Sequence, residues 1–342
     1  MGRTEVGVAV MRVLVTGGGG FLGRAIIAHL LACGEQVRSL ARGAYPELAS
    51  RGVECVRGDI RDATTVHEAC ADCDLVIHTA AVAGIWGPWD HFHGINVLGT
   101  RNVIEGCRAQ RVPRLIYTSS PSVTFDGSPQ ENVDESVGYA KRWLCYYAQT
   151  KAMAEQEALA ANSSDLATCA LRPHLIWGPG DQHLIPRLIA RARAGQLRRV
   201  GDGTNLIDMV YVDNAATAHL QAAAVLAPGS PVAGKAYFIS NGEPVNCWQW
   251  IDELLALAGL PPVKRSISLA VAWKVGAVFE AIYKTLRLTS EPRMTRFLAA
   301  QLGLPHYFNI SAARHDFGYE PRVTKAEGMQ RLGATLPGEV DG

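Results

Sequence analysis

The stretch RVLVTGGGGFLGRAII, residues 12–27, decides the fold. RVLVT is a short β-favouring apolar run, FLGRAII opens an amphipathic helix, and four glycines fill the space between. The spacing predicts a strand over 12–16 and a helix from about Gly20. Glycines between a strand and a helix serve a tight turn, a close approach of backbone to a pyrophosphate, and tight helix–strand packing. The exposed N–H groups and partial positive charge of the helix start then favour phosphate. Two registers fit, Gly18/Gly20/Gly23 and Gly17/Gly20/Gly23, and both use Gly20 and Gly23.

Working outward, apolar runs at 36–41, 53–56, 74–80, 114–119 and 167–172 read as further strands. Helical stretches such as 21–33 and 95–110 lie between them. This alternation predicts an α/β fold, a Rossmann-type doubly wound parallel sheet. Beyond Pro173 the regularity fades. Segments around 208–240 regain strand or helix character and are expected to return to the first domain. The expected organisation is a dinucleotide-binding domain over 11–175 with 208–240, and a smaller, discontinuous C-terminal substrate domain over 176–207 and 241–335. The second strand ends SLAR, with Ala41 where an NAD site places a carboxylate and Arg42 next. That favours the 2′-phosphate of NADP(H), with NAD(H) left open. Asp59, after the third strand, is a candidate partner for adenine.

The 342 residues carry a formal charge of +1 and no long run of like charge, which gives no sign of a nucleic-acid partner. The eight cysteines are scattered among apolar segments, and the lone Cys70-Ala-Asp-Cys73 has no second pair. Reduced, buried thiols in a cytoplasmic protein and no metal site are expected; HFH (91–93) reads as ordinary histidines. The first ten residues are too short for a signal peptide, and Met11 is an alternative start. No apolar run has membrane-span length.

The stretch CYYAQTKAMAEQEAL (145–159) reads as a helix with a lysine four places after Tyr147. Together with TGGGGFLG, GDI (58–60), HTAA (78–81), Asn96 in INVLGT, YTSSPSV (117–123), LRPHLIWGPGD (171–181) and VYVDNAA (210–216), it resembles the extended branch of the short-chain dehydrogenase/reductase superfamily. Within it, WG (86–87) and the C-terminal RFLAAQL and ARHDFGYEP are closest to the 3β-hydroxysteroid dehydrogenase-like group. The resemblance implies an NAD(P)-dependent oxidoreductase in which Tyr147 moves the proton, Lys151 supports it and Ser120 holds the substrate oxygen, with Ser119 the fallback. It implies cofactor contacts at Gly17, Gly20, Phe21, Leu22, Gly23, Arg42, Asp59, Ile60, Ala80, Ala81, Asn96, Tyr147, Lys151 and Pro173. A nearby ammonium is expected to lower the Tyr147 phenol, while Tyr146 serves packing or the substrate wall.

The same resemblance implies a substrate with a C3 oxygen, a carboxylate on the next carbon and a large hydrocarbon body: a 2-alkyl-3-oxoalkanoate or a sterol-4α-carboxylate. His174, His183 and Arg187 are candidates to meet the carboxylate. A homodimer through helices 95–110 and 143–160 is implied too. The segment 268–288, with Glu280, Lys284 and Arg287 near one face, is expected to cover a lipid site or lie on a membrane interface. A sugar-nucleotide epimerase or dehydratase uses the same triad but needs a basic second domain. A non-catalytic redox sensor usually lacks the tyrosine or lysine, and here both stand.

Overall fold

The computed structural model describes residues 10–336. The stretch before the alternative start at Met11 lies almost wholly outside them. The expected strands form as β1 Arg12–Thr16, β2 Gln36–Ala41, β3 Glu54–Arg57, β4 Leu75–His78, β5 Arg114–Thr118 and, after a short β6 at Gln130–Val133, β7 Ala167–Pro173. Six of these and Ala236–Ile239 make one seven-stranded parallel sheet, ordered Ala236–Ile239, β7, β5, β4, β1, β2, β3. Val13 pairs with Val37 on one side and Leu75 on the other. β4 and β7 are buried along their whole length, which is why they read as mostly apolar runs without polar alternation. The strand order reverses at β1, and a crevice opens there at the carboxyl ends of the strands.

Helix α1, Phe21–Ala32, buries Leu22, Ile26, Ile27 and Leu30 at i, i+4, i+5 and i+8, against one sheet face and Val212–Val225. The expected helix over 95–110 is a π-helix, His93–Leu98, running into Gly99–Ala109. A second, four-stranded sheet is ordered Val245–Asn246, Leu206–Ile207, His306–Phe308, β6. β6 lies early in the chain yet pairs with His306–Phe308, so this sheet stitches the first part of the chain to the last.

The 268–288 segment forms the helix Leu269–Thr285, capped by Ser268. Glu280 does not share a polar face with Lys284 and Arg287. It is buried and accepts from the backbone N–H and the Nε of Arg296, at 2.7 and 2.8 Å. Six cysteines are buried, but Cys33 and Cys55 are exposed, contrary to the expectation of uniformly buried thiols. Among the described residues no group of three or more His, Cys, Asp or Glu side chains is arranged to hold a metal, and no helix is long and apolar enough to cross a membrane.

Candidate active site

A cleft of about 980 Å³ runs from the glycine turn to the second sheet. Its first half fits a dinucleotide. Gly17 has φ +72°, and a Cβ there would come within 2.8 Å of the Ala80 backbone. A Cβ on Gly23 would lie 2.3 Å from the Gly17 carbonyl oxygen. Gly18 instead packs into the core against Ser39 and Ile27, so the turn uses Gly17, Gly20 and Gly23. Gly20 caps α1 with extended backbone and no side chain, and the first turn holds no acid, so its free N–H groups suit an anion.

Gly17, Gly20, Phe21, Leu22, Gly23, Ala41, Arg42, Asp59, Ile60, Ala80, Ala81 and Pro173 all line this cleft. Asp59 is bound side by side by Arg61, whose hydrogen bond holds its carboxyl below the usual range. Asn96 is the exception among the expected contacts. It lies behind the cleft wall, where its amide oxygen accepts from Val82 N–H at 2.8 Å and its Nδ2 donates to Thr150 Oγ1 at 3.0 Å. It positions the cleft loop and the Tyr147 helix. Sequence reasoning missed Tyr45, whose ring lies over the turn: a Cβ on Gly19 would sit 2.0 Å from its Cζ. Arg24 stands 5.3 Å from that ring centroid and donates to the Gly19 carbonyl. The signal was the third glycine of the run, Gly19, whose φ is not positive and where the turn itself does not require glycine.

Helix Tyr146–Ala160 starts beside the end of β5 and brings Tyr147 and Lys151 to the cleft with Ser119 and Ser120. Ser122 N–H and O–H both donate to Ser120 Oγ, at 3.2 and 3.0 Å, leaving the Ser120 proton free to donate into the cleft. Ser119 Oγ is buried without a partner. Desolvation raises the Tyr147 phenol and the Ser120 hydrogen bond opposes that. The expected lowering by Lys151 is not found. The ammonium instead donates to the Thr118 carbonyl at 2.5 Å and lies 4.2 Å from the Tyr117 ring centroid. Burial pushes it down to about 7, against the favourable charge of Glu155. Tyr146 is outside the cleft, edge-on to Trp89.

The far half of the cleft is walled by Phe125, Leu175, Ile176, Leu184, Phe297 and Phe308. Trp143, Leu144 and Trp273 of the Leu269–Thr285 helix pack behind Phe125 and Phe297. His174 reaches the wall, but as a neutral group: burial holds it well below its ordinary value. Arg187 is outside, paired with Glu291, which Arg191 shares. His183 lines the cleft.

A parallel sheet reversing at β1, a glycine turn shaped for pyrophosphate and a Ser–Tyr–Lys cluster at one cleft define an oxidoreductase of the extended short-chain dehydrogenase/reductase class. Residues 14–271 match the model of the 3-beta hydroxysteroid dehydrogenase/isomerase family, and the chain belongs to that family. It is 52% identical over 327 residues to a 2-alkyl-3-oxoalkanoate reductase of Stenotrophomonas maltophilia, covering 95% of this chain and 99% of the relative. Identity to the protein of that name from Shewanella oneidensis is 49%, over 96% of this chain and 87% of the relative. Among solved structures, MoeE5 in complex with UDP-glucose and NAD superposes with a TM-score of 0.73 at 25% identity, covering 95% and 98% of the two chains.

Proposed function

We propose that this protein is an NADPH-dependent 2-alkyl-3-oxoalkanoate reductase. The observation that carries the reading is one continuous cleft, in which the dinucleotide turn, the Ser120–Tyr147–Lys151 cluster and an apolar wall follow one another. A nicotinamide cofactor, when bound, supplies the hydride. Ser120 donates to the substrate's C3 oxygen and fixes it beside Tyr147, which gives the proton as charge develops there. Lys151 is poised to bind a ribose hydroxyl and to offset negative charge on the phenol. Arg42 is exposed at the end of β2, with no carboxylate at Ala41 to claim a ribose hydroxyl, which supports a 2′-phosphate.

We assign cofactor binding to residues 11–175 with 208–240, and substrate binding to 176–207 and 241–335. The family resemblance suggests a homodimer through helices 95–110 and 143–160. The exposed apolar stripe Val278, Ile282 and Leu286, flanked by Lys274, Lys284 and Arg287, suits peripheral contact with an anionic membrane.

A sterol-4α-carboxylate presents the same oxygen and carboxylate, and is the competing substrate. A sugar nucleotide fits poorly, because Arg187 and Arg191 are tied to Glu291 and do not line the cleft. The test follows absorbance of the reduced cofactor, with a 2-alkyl-3-oxoalkanoate in one cell and a 4-carboxysterol with NADP+ in the other. Turnover of the acyclic keto acid is expected. Turnover of the sterol alone, with release of CO2, overturns the assignment.

A further inference from the structure

Among the described residues, the only lysine or arginine side chains lining the cleft are Arg42, at the adenosine end, and Lys151, beneath the active-site tyrosine. The far half therefore offers a carboxylate no permanent cation. Besides the exposed His183, it offers a pair of buried imidazoles with fixed tautomers. His306 Nε2 lies 2.8 Å from the Gln301 carbonyl oxygen, which can only accept, so the hydrogen is on Nε2. His306 Nδ1 is then an acceptor, 2.7 Å from His174 Nε2, which must donate. His174 is left with a bare lone pair on Nδ1, for which the described residues supply no donor, on a side chain that lines the cleft.

We propose that His174, oriented by His306, binds the carboxyl group of the substrate, the two sharing one proton taken up from solvent. This rests on the reading of the substrate as a β-keto acid. The surroundings suit such a proton. The Phe308 ring stands edge-on at 5.2 Å, and the Lys151 ammonium belongs to Thr118 and Tyr117. Asp208 meets His306 only through the backbone, its N–H donating to the His306 carbonyl at 3.0 Å. Burial keeps both imidazoles neutral without ligand, His306 near 4. An arriving carboxylate supplies the charge that reverses this. The arrangement also has a chemical use. A β-keto acid loses CO2 when its carboxyl proton reaches the ketone oxygen, and a proton held on His174 Nδ1 is kept from that path until the ketone is reduced.

The experiment is calorimetric titration of the NADPH-loaded enzyme with the 2-alkyl-3-hydroxy acid at pH 8, in two buffers of different ionisation enthalpy. About one proton is expected to be taken up per site, with affinity falling about tenfold per pH unit. His174→Gln and His306→Gln should abolish the uptake and weaken the acid about tenfold or more, since each removes a charge-assisted hydrogen bond. Both should bind the corresponding secondary alcohol, which lacks the carboxyl, and NADPH as the parent does. His174→Gln should also release more decarboxylated ketone per turnover. Absence of proton uptake by the parent enzyme overturns the proposal, and that measurement decides alone if a variant fails to fold. Equal weakening of acid and alcohol, or a loss confined to NADPH, overturns it too. If the parent binds neither acid nor alcohol, the lipid reading itself fails.

Discussion

At the residue scale, burial raises the Tyr147 phenol and Ser120 opposes that, which keeps the proton on the phenol until a substrate oxygen draws it off. Tyr147→Phe should cut kcat by about 10²–10⁴-fold, the usual range for a lost general acid, while the NADPH dissociation constant by fluorescence stays near the parent value. Retention of most activity would remove Tyr147 from the mechanism. Arg42→Ala should weaken NADPH by about tenfold and leave NADH nearly unchanged, measured by the same titration. Asp208 tests pH dependence away from the chemistry. It is fully buried, Oδ1 has no partner, and desolvation raises its carboxyl to about 6. A folded pKa above the unfolded value of about 3.9 means that its stabilising contribution is complete below that value and is lost as pH rises through 6. Asp208→Asn should therefore raise stability by on the order of 2–3 kcal/mol at pH 7 and by little at pH 4, in urea unfolding.

At the scale of elements, the helix Leu269–Thr285 is held by a close backbone approach as well as by apolar packing of Leu269, Ala272 and Trp273. A Cβ on Gly276 would lie 2.6 Å from the Thr295 carbonyl carbon and 2.7 Å from Arg296 N. Backbone on both sides cannot yield as a side chain would, so Gly276→Ala should cost about 1–3 kcal/mol in chemical denaturation. The neighbouring Glu280–Arg296 contact shows why this helix was only partly legible. The sequence marks its length and its apolar excess, but the acid appears solvated until Arg296, 16 residues on, is folded back against it. The seven-stranded sheet was far more legible, because strands covered on both faces keep mostly apolar runs. The glycine turn and the Tyr–Lys spacing were equally plain, being local. Gln301, His306 and Phe297 carry no local signal and reach the cleft only through tertiary packing. Asn96 sits in a recognisable motif, yet its partners, Val82 and Thr150, place it behind the wall.

At the scale of the whole molecule, Val271, Val278, Ile282, Leu286 and Leu288 are all more than one-third exposed and lie on one helix and its exit. The charged side chains left in water between 269 and 288 are Lys274, Lys284 and Arg287, all positive. If this face meets a bilayer, the protein should float with vesicles rich in phosphatidylglycerol and not with neutral ones. Val278→Asp with Ile282→Asp should abolish flotation while turnover of a short, soluble keto acid is kept. Flotation unchanged by the pair would move the contact elsewhere.

The strand β6 has a consequence for how substrate gets in. Because it hydrogen-bonds to His306–Phe308, the early and late parts of the chain are sewn together along the floor of the cleft. Jaws fastened at the back cannot swing apart as rigid bodies without unzipping a sheet. Trp86 adds a second tie between early and late segments: its Nε1 donates to the Leu288 carbonyl at 3.0 Å and its ring meets Tyr283 edge-on. The two parts of the chain are thus riveted twice, once by a backbone ladder and once by an indole.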